Sequence, residues 1–237
     1  MAEKRKISGG AGTRFAAALI GGFMIVVSWA AAVYFSAASA EGYTVWGVDI
    51  SNYQGDVDWQ SLESQGVRFA FVKATEGSGH TDDSVRRNLE RAAECGVLVS
   101  CYHFFSFDSA GETQAQNFIN AVGKDEIQLY ADKSLNKPSR SETEQILTPL
   151  LEGLEEYYGV KPIIYTTIPV YLRYVREGYS DYPLWIRCTR FEPDLIDWEF
   201  WQYSDEGELE GYIGEEKYID LNVWHGTEAE FEQRYGI

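Results

Sequence analysis

From residue 45 onward the chain repeats one pattern. A short apolar run rich in β-branched and aromatic residues is followed by a turn and then by an amphipathic stretch. Residues 45–49, 68–73, 97–105, 162–166, 183–187 and 198–203 read as strands. Between them, residues 58–65, 82–94, 110–122, 141–158 and 169–177 read as helices. Ser141-Glu142-Thr143-Glu144 has the spacing of a capping box at the start of the fourth of these helices. Strand–helix alternation with short turns restricts the fold to the α/β class, as a parallel sheet or a β/α barrel. The last third breaks the rhythm, because 198–203 and a short apolar segment at 218–223 follow each other with little helix between. An irregular, TIM-like barrel is therefore predicted. With no internal repeat and no long Pro- or Ser-rich linker, residues 41–237 are read as one domain.

The first forty residues are of another kind. Lys4, Arg5, Lys6 and Arg14 precede an uncharged run over 15–40 rich in Ala, Ile, Val, Phe and Gly. About 20 apolar residues suffice for a helix to cross the hydrocarbon of a bilayer. The expectation is a cytoplasmic basic segment at 1–14, with 15–40 as a transmembrane anchor or a signal peptide. Length favours the anchor, and the small residues Ala38-Ser39-Ala40 favour cleavage. Either way the basic flank stays inside and the rest is exported, attached to the membrane or secreted.

The formal charge is −17. The first forty residues carry four basic groups against Glu3, and setting aside that +3 leaves −20 on 41–237. Such a surface repels phosphate backbones, so nucleic acid is excluded as a partner. Cys95, Cys101 and Cys188 are an odd set without metal-ligand spacing, read as small apolar residues and one further thiol.

In a β/α barrel the chemistry sits where the parallel strands end. Asp49 closes the first strand, before Tyr53, and Glu76 follows the second. Tyr102 and His103 stand on the third, and Tyr165, Trp185, Gln202 and Asp220 come later. Acids and aromatics after apolar runs suit carbohydrate, since carboxylates grip and protonate while aromatic faces stack on sugar rings. Singly, each has a plainer reading: Asp49 as a turn former, Tyr102 as core, His103 as a hydrogen-bonded structural histidine. A metal-dependent deacetylase would need a second well-placed histidine, and neither His80 nor His225 has the spacing.

Taken in order, GVDISNYQGDVDW, FVKATEG, YHFF, KPIIYT, YPLWIR, FWQYS and YIDLNVW resemble glycoside hydrolase family 25 over residues 46 to 225. The resemblance implies an irregular β/α barrel and hydrolysis of the β-1,4 bond after N-acetylmuramic acid in peptidoglycan, with no metal or organic cofactor. It implies that Asp49, Glu76 and Asp220 line the groove, and that Tyr165, Trp185 and Gln202 shape the sugar site.

One motif departs from the family pattern. The family carries Asp-x-Glu at the end of the fourth strand, its Glu being the proposed general acid, and this chain has none there. In one register Glu126-Ile127-Gln128 fills the place, with neutral Gln128 where the acid should be. In the other, Asp132-Lys133-Ser134 does. Glu126, Gln128 and Asp132 are thus candidates beside Asp49 and Asp220, and two functions stay open: a muramidase with an altered acid pair, or a peptidoglycan-binding relative that has lost hydrolysis.

Overall fold

The structure, a computed structural model, describes residues 38–123, 129–130 and 138–236. Among the described residues, eight strands close into a ring. β1 (Trp46–Ile50), β3 (Phe69–Glu76), β5 (Leu98–Phe104), β6 (Leu129–Tyr130), β7 (Ile164–Thr167), β8 (Leu184–Arg187) and β9 (Phe200–Gly207) are successive parallel neighbours. β11 (Ile219–Trp224) fits between β9 and β1, antiparallel to both. The predicted irregularity at closure is this reversal. It brings the first residues of β11, not its last, to the end where the parallel strands finish. Outside the ring lie β4 (His80–Thr81), in a hairpin with β3, and a two-stranded ribbon of β2 (Asp56–Val57) with β10 (Tyr212–Ile213).

Strand side chains alternate between faces, and the packing separates accordingly. Phe69, Phe71, Tyr102, Tyr165, Trp185, Phe200 and Trp224 fill the interior of the ring. Phe71 and Tyr165 lie with ring centroids 4.1 and 4.5 Å from Trp185. Ala70, Val72, Cys101, Ile164, Ile186, Trp201 and Val223 point outward and pack with helix residues such as Leu62, Phe118 and Leu151. Burying a large apolar side chain contributes roughly 1.5–3 kcal/mol, so these two layers dominate stability.

The outer helices are α1 (Trp59–Ser64), α2 (Val85–Glu94), α3 (Gly111–Val122), α4 (Arg140–Tyr158) and α5 (Glu228–Tyr235). The capping box of α4 forms two residues earlier than expected: Ser139 accepts from the Glu142 amide while the Glu142 carboxylate accepts from the Ser139 amide. The expected helix over 169–177 is a short turn, Ile168–Val170, passing into a π-type turn closed by the Arg176 amide on the Tyr171 carbonyl. The second strand runs on to Glu76 because β4 pairs with its end. Helix α5 was not foreseen, although Thr227 and Glu230 form a capping box legible in the sequence. Its Phe231 packs against Phe69 and Trp224 and closes the ring's lower end.

Among the described residues no helix is long and apolar enough to cross a membrane. The segment expected at 15–40 lies outside them except for its last three residues, which are not helical; the Ala38 amide bonds the Thr189 carbonyl. Cys101 is buried, Cys95 and Cys188 are partly so, and none is in a disulfide.

Candidate active site

The site is built around Asp49, which sits one residue before the end of β1 and faces the interior. Its carboxylate is 5 % exposed. Oδ2 accepts from Gln202 Nε2 at 2.7 Å and from Asn222 Nδ2 at 2.8 Å. Both amides are locked from behind. Trp185 Nε1 donates to Asn222 Oδ1 at 2.7 Å, and Tyr165 Oη donates to Gln202 Oε1 at 2.7 Å. An indole N–H can only donate, so the oxygen of Asn222 must face it and the NH2 must face Asp49. The result is a continuous buried chain, Tyr165–Gln202–Asp49–Asn222–Trp185, drawn from five strands.

Asp220 is the cross-strand partner of Asp49 in the antiparallel β1–β11 pairing. Directly opposed residues of such a pair put their side chains on the same face, so two carboxyls meet at the mouth. Burial raises the proton affinity of both, taking Asp49 to about 6 and Asp220 to about 9. Desolvation is the leading cause in each, and in Asp220 the negative charge of Asp49 comes next. Asp49 is the deeper of the two yet rises less, because the two amide donors favour its charged form. Two hydrogen-bonded carboxyls out of water resist losing their second proton, so the pair retains a shared proton above the usual carboxylate range. Hydrogen-bonded to each other, the two carboxyls act as one charged group rather than as the separated acid and base of a two-carboxylate glycosidase.

Around this pair stand charged groups that the sequence reading passed over. Lys73, 8 % exposed, donates to Glu76 Oε2 at 2.8 Å and lies over the Phe104 ring. Arg187, at the end of β8, is ion-paired with Asp205 on β9. Asn222 was also missed, although it lies two residues after Asp220 on one strand and so shares its face.

The other expected site residues fall in different places. Glu76 stands at the end of β3 with its side chain 45 % exposed, and Tyr53 is half exposed in the turn Asn52–Gln54 that follows β1. Tyr102 lies inside the ring against Trp185. His103 must be corrected as a substrate-binding residue. It is fully buried, with Nε2 on Gln114 Oε1 at 3.0 Å and Nδ1 on Thr75 Oγ1 at 2.7 Å. Gln114 Nε2 is occupied by the Ser106 and Ser109 carbonyls, so its oxygen faces the ring and Nε2 of His103 carries the proton. Burial lowers its proton affinity to about 4, and the neutral ring braces β5 against α3. Glu126, Gln128 and Asp132 lie outside the described residues. The one Asp-x-Glu in the chain, Asp197-Trp198-Glu199, precedes β9 at the opposite end of the ring, where Glu199 is taken up by Arg234 and Tyr235. Among the described residues no cluster of three or more His, Cys, Asp or Glu is placed to hold a metal.

A closed β/α ring with paired carboxyls at the strand ends, above a buried aromatic layer, fits a glycoside hydrolase. The family model for glycosyl hydrolases family 25 matches residues 48–212. A solved family 25 glycosyl hydrolase from Bacillus anthracis is similar with TM-score 0.75 and 42 % identity, over 85 % of this chain and 97 % of that one. Protein YegX of Escherichia coli K12 is 33 % identical over 80 % of this chain and 73 % of its own length. Lysozyme M1 of Streptomyces globisporus is 28 % identical over 78 % of this chain and 69 % of its own. The chain belongs to glycosyl hydrolases family 25.

Proposed function

We propose that the protein is a muramidase that hydrolyses the β-1,4 bond between N-acetylmuramic acid and N-acetylglucosamine in peptidoglycan, outside the cytoplasm. The observation that carries this reading is the Asp49–Asp220 pair, held at the strand ends above the buried Tyr165, Trp185 and Tyr102. Relatives named as lysozymes support the substrate class. The basic segment 1–14 and the apolar run 15–40 support export, by a retained anchor that meets the membrane or by a cleaved leader, ahead of a catalytic domain at 41–237.

In this reading the Asp49–Asp220 pair carries one negative charge and faces the anomeric carbon. Positive charge develops there as the glycosidic bond breaks, and a fixed carboxylate in a dry site stabilises it. The acetamido oxygen of the substrate attacks the anomeric carbon, and its N–H hydrogen-bonds to the carboxylate pair. This is the substrate-assisted route, in which no covalent enzyme intermediate forms. Glu76 and Tyr53 contact the glycan at the rim.

The leaving oxygen needs a proton from another acid, and general acid help contributes about 10²–10⁴-fold. Gln128 has no proton to give. We assign the role to Asp132 rather than Glu126. β6 pairs Tyr130 with Tyr165, which belongs to the Asp49 network. Asp132 comes two residues after Tyr130 in sequence, whereas Glu126 and Gln128 precede it, and barrel sites form beyond the C-terminal ends of strands. Reducing-end release from purified peptidoglycan tests the assignment. Asp132→Asn is expected to remove activity and Glu126→Gln to keep it; hydrolysis that survives loss of both overturns it.

One sequence fact favours the second reading, a wall-binding protein without hydrolysis: residues 126–134 hold no Asp-x-Glu. Under that reading the native chain binds glycan and releases no ends, while Gln128→Glu restores release.

A further inference from the structure

The turn that carries Tyr53 is held more firmly than its place at the surface requires. It follows β1 directly, and its Tyr53 ring is 49 % exposed. Within the turn Ser51 and Gln54 cap each other. The buried Gln54 side chain also donates to Glu216 Oε2 at 3.1 Å, and the Tyr53 carbonyl accepts from the Glu216 amide at 3.3 Å. The Asn52 amide is held from a third direction, by Asp82 Oδ2 at 3.0 Å.

Asp82 follows β4 and is 1 % exposed. Burying a carboxyl is costly unless its oxygens are hydrogen-bonded, and both of these are. Oδ1 serves its own loop: it accepts from the Ser84 amide at 2.8 Å and from the Ser84 hydroxyl, whose oxygen accepts from Asn88 Nδ2 at 3.2 Å. Ser84 and Asn88 are buried too, so the chain of bonds runs from α2 to the Asn52 amide. Helix capping does not account for the carboxyl, because the N-cap of α2 is Ser84 and no side chain caps that helix. Oδ2 reaches 30 residues back along the chain, to the turn beside Asp49. A contact residue fixed in advance spares the ordering cost of binding, and an aromatic face is what a sugar ring stacks on.

We propose that Asp82 is a positioning residue, which fixes the Asn52–Gln54 turn before glycan arrives and so presents the Tyr53 ring as a stacking platform for a sugar at the rim. This rests on the reading of Tyr53 as a glycan contact.

The test measures reducing-end release, and sedimentation with insoluble peptidoglycan, for the full chain. The forms compared are native, Asp82→Asn, Tyr53→Ala and the double variant, with Ser84→Ala as control. Asp82→Asn is expected to raise KM and weaken sedimentation roughly two- to tenfold at unchanged kcat, the effect of one side chain left to be ordered on binding. In the Tyr53→Ala background the same substitution adds nothing, because it acts through the ring. Ser84→Ala leaves the Asn52 bond and the Ser84 amide in place, so it lowers the melting temperature and keeps the native KM. Additive effects of Asp82→Asn and Tyr53→Ala, a fall in kcat, or the same rise in KM in Ser84→Ala overturn the proposal. If Asp82→Asn does not fold, hydrogen exchange in the native chain replaces it: an Asn52 amide protected without glycan supports the proposal, and one exchanging at the unprotected rate overturns it. Native KM and sedimentation in Tyr53→Ala remove the platform and leave the hydrolase reading standing. The expected sedimentation pattern with no reducing ends from any form upholds the positioning and removes the hydrolase reading.

Discussion

Asp49 and Asp220 are opposite each other across the antiparallel pairing of β1 with β11, the one reversed strand of the ring. Had β11 run parallel, its first residues would lie at the far end and Asp49 would face no second carboxyl. The irregular closure is thus what makes the site, and the two acids should respond differently to substitution. Asp220→Asn is expected to cut reducing-end release by about 10²–10⁴-fold with little loss of stability. Asp49→Asn is expected to cut activity and also stability, by about 1–3 kcal/mol, because the Gln202 and Asn222 donors lose their charged acceptor. Chemical denaturation of both variants separates the two effects.

Above pH 6.5, beyond the range in which His103 acts, stability should fall as pH rises. Asp49 and Asp220 bind protons more tightly folded than unfolded, with values raised from 3.8 to about 6 and about 9. Their contribution is fully present below the unfolded value and is lost as pH rises through the folded ones. Melting temperatures across this range should decline in the native protein and decline less in Asp220→Asn. An equal slope in both contradicts the buried pair.

Activity should show an acid limb near pH 6, where Asp49 takes up a proton and the mouth loses its negative charge. A limb that stays in place when Asp49 is replaced, in any variant with measurable residual activity, contradicts this assignment.

His103 acts on stability alone. Its folded proton affinity is depressed from 6.5 to about 4, so its contribution is present above the unfolded value and is lost as pH falls through the folded one. His103→Phe strands Thr75 Oγ1 and leaves Gln114 Oε1 only the Ser106 amide, and should cost about 1–3 kcal/mol while leaving KM unchanged. A raised KM at constant stability would return His103 to the sugar site.

Gly47 on β1 is paired with Phe69 on β3. A Cβ there would stand 2.1 Å from the Phe69 carbonyl oxygen and 2.7 Å from its ring. Gly47→Ala is therefore expected to cost about 3 kcal/mol, read as a lowered denaturation midpoint.

Much of this molecule could be read from the chain before any coordinates. The apolar run that ends in Asp49 and the one that leads into Glu76 announced strands and their active ends, because alternation is a local property. The line from Tyr165 through Gln202 to Asp49 was not legible. Those residues were singled out one by one, but their bonding joins strands 37 and 153 residues apart. Lys73, Arg187 and Asp205 were missed because a charge in a strand looks like a solvated face until its neighbours are known. His103 misled because an imidazole at a strand end looks the same in sequence whether it meets sugar or Gln114. Helix α5 was missed although its Thr227–Glu230 cap was in plain view.

A muramidase with this mouth cuts the glycan on the reducing side of N-acetylmuramic acid. The most direct measurement is digestion of purified peptidoglycan by the full chain, with new reducing ends reduced, hydrolysed and identified. Muramic acid ends that appear with the native chain and vanish with Asp220→Asn are the expected result. Glucosamine ends, or none at any pH, would contradict it.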